Sequence, residues 1–122
     1  MGKFITGIDH IQIAAPSGSE KAARRFYGEL LGMEEIPKPN SLKARGGCWF
    51  RAGLHEVHIG IQQDFMPAEK AHPGFTVNAL EQLKLRLQEL GYAIIEDEPI
   101  NGRCRFFTHD PFGNRIEFLA FE

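Results

Sequence analysis

The chain repeats itself, and this duplication restricts the folds open to it more than any other feature of its sequence. In the first half, Ile8-Asp9-His10-Ile11-Gln12-Ile13-Ala14 has the alternation of a strand and stops at Pro16-Ser17-Gly18. A helix from about Glu20 to Leu31 follows: Ala22, Ala23, Phe26, Tyr27, Leu30 and Leu31 recur at three- and four-residue spacing, Ser17 or Ser19 can cap it, and Gly32 ends it. Met33 to Ile36 reads as a short strand, Pro37-Lys38-Pro39-Asn40 breaks the pattern, and strands near Gly47 to Arg51 and Glu56 to Gln62 complete a β-α-β-β-β order. After residues 64–71 the order returns. His72 to Asn78 reads as a strand, Ala79 to Leu90 as an amphipathic helix ended by Gly91, and Tyr92 to Glu96, Arg103 to Thr108 and Arg115 to Phe121 as three more strands.

The halves superpose through short matches. His10-Ile11-Gln12-Ile13-Ala14-Ala15 lies over His72-Pro73-Gly74-Phe75-Thr76-Val77, Leu31-Gly32-Met33 over Leu90-Gly91-Tyr92, Cys48-Trp49-Phe50 over Cys104-Arg105-Phe106, and Val57-His58-Ile59 over Ile116-Glu117-Phe118. His10 then matches His72, and His58 matches Glu117. Imidazole nitrogen and carboxylate oxygen are the donors that hold Zn, Ni, Co, Mn or non-haem Fe, so these four are the candidate ligands of one divalent metal ion. Three neutral imidazoles and one carboxylate would leave a divalent ion with a net charge of about +1, which welcomes an anionic oxygen and serves as a Lewis acid. Taken singly, each histidine also fits a hydrogen-bonded core or surface position, and Glu117 the solvent face of an alternating strand. The coincidence of all four with the repeat is what points to a metal.

His55 and His109 have no symmetric counterpart and read as structural, and Asp110-Pro111-Phe112-Gly113-Asn114 has the composition of a tight turn. Arg45, Arg51, Arg103, Arg105 and Arg115 are candidates for an anion clamp, with one or two expected to line the pocket. Trp49, Phe50, Phe65, Phe75, Phe106 and Phe107 offer stacking surface or core. A length of 122 residues, 43% of them hydrophobic, suits one domain over residues 1–122, with modules at about 5–65 and 71–122. Fourteen basic residues (Lys and Arg) against sixteen acidic ones give a net charge of -2 without a basic block, which argues against nucleic acid. No apolar run approaches the ~18 residues a membrane span needs, and the start lacks the apolar core of a secretory signal, so a cytoplasmic protein without a membrane partner is expected. Cys48 and Cys104 fit thiols in a reducing compartment.

Asp9-His10-Ile11, Phe26-Tyr27 with Leu30-Leu31-Gly32-Met33, Ala71-His72-Pro73-Gly74-Phe75 and Asp110-Pro111-Phe112-Gly113-Asn114-Arg115-Ile116-Glu117 together resemble the vicinal-oxygen-chelate superfamily of glyoxalases, bleomycin-resistance proteins and extradiol dioxygenases. The resemblance spans essentially the whole chain. It implies an α+β fold in which two βαβββ modules form a cupped mixed sheet around a central cavity, with ligands on the first and last strands of each module, where His10, His58, His72 and Glu117 stand. It further implies a homodimer and a small substrate, anionic or with vicinal oxygens. The pattern His10, His72, Glu117 is similar to the two-histidine, one-carboxylate triad of the dioxygenases and fosfomycin enzymes. In bacterial-type glyoxalase I the position of His58 is usually a carboxylate. The function so implied is a glyoxalase-type lyase or isomerase that chelates two adjacent oxygens, with Glu117 as ligand and, on swinging off the metal, as general base. A bleomycin-resistance-like sequestering protein and an extradiol-type dioxygenase are the alternatives, and fold alone does not decide among them.

Overall fold

The computed structural model describes residues 2–122. The chain divides into two compact units, Met1–Met66 and Pro67–Glu122. The first contains β1 (His10–Ala15), α1 (Glu20–Ala23), a π-helical segment (Arg24–Leu30), β2 (Glu34–Ile36), a 3-10 turn (Asn40–Arg45), β3 (Cys48–Ala52) and β4 (His55–Ile61). Its strands are ordered β1-β4-β3-β2, with β1 parallel to β4 and the other pairs antiparallel. Strand alternation sends Ile11, Ile13, Cys48, Phe50, Val57 and Ile59 to one face, where the pairs Ile13 with Ile59 and Phe50 with Val57 stand in register. The helix covers that face, and the Tyr27 and Phe50 ring centres lie 6.2 Å apart.

The expected α-helix over Glu20 to Leu31 is α-helical only to Ala23 and then widens. Phe26 and Tyr27 are consecutive and both fully buried. A π-helix turns less per residue than an α-helix, so two successive aromatic rings can share the sheet-facing side. Gly28 follows them, and a Cβ there would meet the Phe50 ring at 3.4 Å, an ordinary contact.

The second unit contains β5 (Gly74–Thr76), α2 (Leu80–Glu89), β6 (Arg103–His109) and β7 (Arg115–Phe121), ordered β5-β7-β6, with β5 parallel and β6 antiparallel to β7. One face carries Phe75, Phe106, Ile116 and Phe118, and the Phe118 ring lies 5.6 Å from Phe106 and 6.1 Å from Phe75. The fold is α+β, as expected, and its strands form two mixed sheets. The strand expected at Tyr92 to Glu96 does not form, and only Ile95 bridges, to Phe107, through two backbone hydrogen bonds of 2.8 and 2.9 Å. The Thr108 hydroxyl donates to the Ala93 carbonyl in place of a ladder partner, and the acidic run Glu96-Asp97-Glu98 ahead of Pro99 turns away. Among the described residues no helix is long and apolar enough to cross a membrane.

The strand registers refine the duplication. His58 stands opposite Gln12, two residues beyond His10, and Glu117 stands opposite Gly74, two residues beyond His72. Across the antiparallel pairs, Trp49 faces His58 and Phe107 faces Glu117. Trp49 therefore corresponds to Phe107, and the expected match of Cys48-Trp49-Phe50 to Cys104-Arg105-Phe106 is displaced by two residues. A slip of two keeps every side chain on its face, which is why the sequence pattern tolerates it.

Candidate functional site

In the first unit the candidate donors lie on the sheet face away from the helix. His58 follows Val57 on β4, and alternation turns it from the apolar face toward Trp49 and Gln12. It is 5% exposed, its ring stacked at 3.7 Å and 1° on Trp49 and at 4.2 Å and 15° on His10. His58 Nε2 donates to the Glu56 carboxylate at 2.9 Å, which the i, i+2 spacing on one strand face makes possible. His10, at the start of β1, is more open, and its Nδ1 donates to the Asp9 carboxylate at 2.9 Å. A metal ion lies in the plane of each imidazole that binds it. The nearly parallel rings of His10 and His58 cannot both aim a lone pair at one ion unless one of them turns.

In the second unit His72 and Glu117 are brought together directly. His72 Nδ1 donates to the Lys70 carbonyl at 2.9 Å, and a carbonyl can only accept, so this nitrogen carries the proton. Nε2 faces Glu117 Oε1 at 2.9 Å. In the neutral tautomer two lone pairs would meet there, and either a proton or a metal ion relieves that contact. Glu117 is largely buried, and its other oxygen, Oε2, accepts from Arg105 Nη1 at 3.3 Å. Phe107, opposite Glu117 on β6, presents its ring to His72 edge-on at 4.9 Å, while the guanidinium groups of Arg115 and Arg105 stand 4.0 and 5.3 Å from its centre. Arg115 also lies 3.5 Å from Asp97, whose carboxyl is held below its usual range chiefly by the Glu98 backbone N–H.

The His72 and Glu117 pair fits a divalent ion. Two donors at about 2.1 Å from one ion and at right angles to each other are about 3 Å apart, close to the observed spacing, and the Lys70 carbonyl fixes the tautomer that leaves Nε2 free. Among the described residues no three His, Cys, Asp or Glu side chains gather into a metal-holding group, and the candidates stand as pairs. Of the arginines, Arg105 and Arg115 border this site, while Arg103 lies over Phe121 at 5.4 Å. His55 and His109 are exposed at strand ends. Glu56 was not singled out by its sequence, although its place two residues before His58 was the available signal. The Lys70 carbonyl has no side-chain signature at all.

The profile of the Glyoxalase/Bleomycin resistance protein/Dioxygenase superfamily matches residues 7–118. The chain belongs to this superfamily. The glyoxalase superfamily assignment agrees with a crystal structure of a glyoxalase family protein from Bacillus anthracis, 52% identical, with a TM-score of 0.94 and complete coverage of both chains. A curated relative, Glyoxylase I 4 of Arabidopsis thaliana, is 27% identical over 93% of this chain and 70% of its own length. The lactoylglutathione lyase of Agrobacterium tumefaciens shares the glyoxalase fold at 19% identity, with a TM-score of 0.74 over 97% of this chain and 96% of that one. Members of the superfamily typically use divalent metals, bind small-molecule substrates and commonly form dimers.

Proposed function

We propose that this chain is a glyoxalase-type, metal-dependent enzyme acting as a lyase or isomerase on a small substrate with vicinal or anionic oxygens. The observation that carries the reading is the His72 and Glu117 pair, with Nδ1 locked by a carbonyl and Nε2 held 2.9 Å from a carboxylate oxygen. His72 and Glu117 would hold the metal from the second unit, and His10 and His58 remain candidate ligands on the first, His58 only on turning out of its stack. A bound divalent ion would supply Lewis acidity toward two neighbouring substrate oxygens. The chain's own groups prepare the surroundings. Asp9 leaves Nε2 as the open nitrogen of His10, and Phe107 packs edge-on against the His72 ring. To serve as general base, Glu117 would have to release both His72 and Arg105. We take a cytoplasmic homodimer as the working form, and light scattering on the purified protein checks the oligomer.

A second reading, a sequestering protein of the bleomycin-resistance kind, is favoured by one observation: the stacked rings of Trp49, His58 and His10 form an aromatic surface on the first sheet. Metal content by plasma mass spectrometry separates the two. Near one equivalent per chain after loading with Ni, Co, Zn, Mn or Fe(II), lost in His72→Ala and Glu117→Ala, supports the enzyme. No retained metal in the unaltered protein removes it and leaves the binder.

A further inference from the structure

Glu117 differs from the histidines in one respect that matters to a metal. An imidazole held by one hydrogen bond has a single nitrogen left to offer, whereas a carboxylate has two oxygens and a freely turning end. Something must choose between them. We propose that Arg105 is the positioning residue of Glu117, holding Oε2 so that Oε1 alone is offered to a metal ion beside His72 Nε2; the proposal rests on the metal reading above.

The geometry is specific. Arg105 stands opposite Leu119 on β6, two positions from the Phe107 and Glu117 pair and on the same sheet face. Nη1 reaches Glu117 Oε2 at 3.3 Å, Nη2 donates to the Glu98 carbonyl at 2.6 Å, and the guanidinium stands over the Phe107 ring. The side chain is 12% exposed, so these contacts are made largely out of water. Its Nε is buried with no hydrogen-bond partner, so the placement serves the two terminal nitrogens and leaves the third donor unmet.

Comparison of the registers shows that the device belongs to the carboxylate. Counting from the Trp49 and Phe107 correspondence, the position of Arg105 is occupied in the first unit by Gly47, where a Cβ would strike the Ile59 carbonyl oxygen and φ is +84°. No side chain reaches His58 from there, and Glu56 holds that ring from its own strand. The Glu98 carbonyl, in turn, is within reach of Arg105 because the chain leaves the sheet after Ile95. The strand missing from the second unit is thus replaced by the brace that aims the arginine.

Cobalt(II) tests this, because its visible absorption reports coordination number. The protein is titrated with cobalt(II) unaltered and as Arg105→Met, Arg105→Lys and Arg115→Met. Arg115→Met removes an equal charge from the same phenyl ring without touching Glu117. The expected result is a changed spectrum and at least about tenfold weaker binding in Arg105→Met, the size typical of a lost outer partner of a metal ligand. Arg115→Met should keep the parent spectrum. Loss of positive charge alone would tighten cobalt binding in both variants, so the sign separates orientation from electrostatics. Arg105→Lys keeps the charge but reaches one partner at a time, and should fall between the parent and Arg105→Met; it decides the matter if Arg105→Met does not fold. A parent-like spectrum with equal or tighter binding in the Arg105 variants overturns the proposal. If cobalt is bound and is lost in His72→Ala while Arg105 is indifferent, only this proposal falls; if the unaltered protein binds none, the metal reading falls with it.

Discussion

The two thiols differ in burial, and their chemistry should follow. Cys48 is enclosed in the first unit, where burial pushes its thiol up to about 11, while Cys104 is exposed and is raised chiefly by its contact with the Glu122 carboxylate. Ellman's reagent on the native protein should therefore modify one thiol, Cys104, and reach Cys48 only on unfolding. A Cys104→Ala variant that still reacts promptly would contradict this. At the same scale, the candidate ligands were legible because the duplication singled out His10, His58, His72 and Glu117 from their neighbours. Their partners were less so. Glu56 acts only through the face it shares with His58, Arg105 was one arginine among several, and Lys70 contributes a main-chain oxygen that any residue could supply.

Among elements, the junction of α1 with the start of β3 rests on one carboxylate. Glu20 accepts from the Gly47 N–H at 2.7 Å, and this bond holds its carboxyl below the ordinary value of 4.5. A lowered folded-state value means stabilisation that is present above about pH 4.5 and is lost as pH falls through the lower folded value. Glu20→Ala should cost about 1 kcal/mol at neutral pH, a reduced figure for a partly solvated charged hydrogen bond, and should flatten the acid limb of the stability curve. Urea unfolding of both proteins between pH 3 and 7 measures it. The strands and helices were legible wherever alternation or helical spacing ran for a full element. Tyr92 to Glu96 misled because Ile94 and Ile95 favour strand, and nothing local reveals that the Thr108 hydroxyl will take the Ala93 carbonyl. The π-helical stretch was equally hidden, since Phe26 and Tyr27 fit an α-helical pattern until Phe50 is placed beside them.

For the whole molecule, the α+β class and the duplication could be read from the chain because each rests on hydrophobic period. The pairing order of the strands could not, since β1 meets β4 and β5 meets β7 across long intervals of sequence. Each sheet has its own apolar centre. Phe118→Ala, which removes a ring buried against Phe106 and Phe75, should cost about 3–5 kcal/mol, read as a fall in denaturant midpoint. The paired registers also make the protein its own control. Several addresses on one sheet have a twin on the other under a different side chain: tryptophan against phenylalanine, glycine against arginine, imidazole against carboxylate. Exchanging twins one address at a time would show which differences distinguish the halves and which are drift.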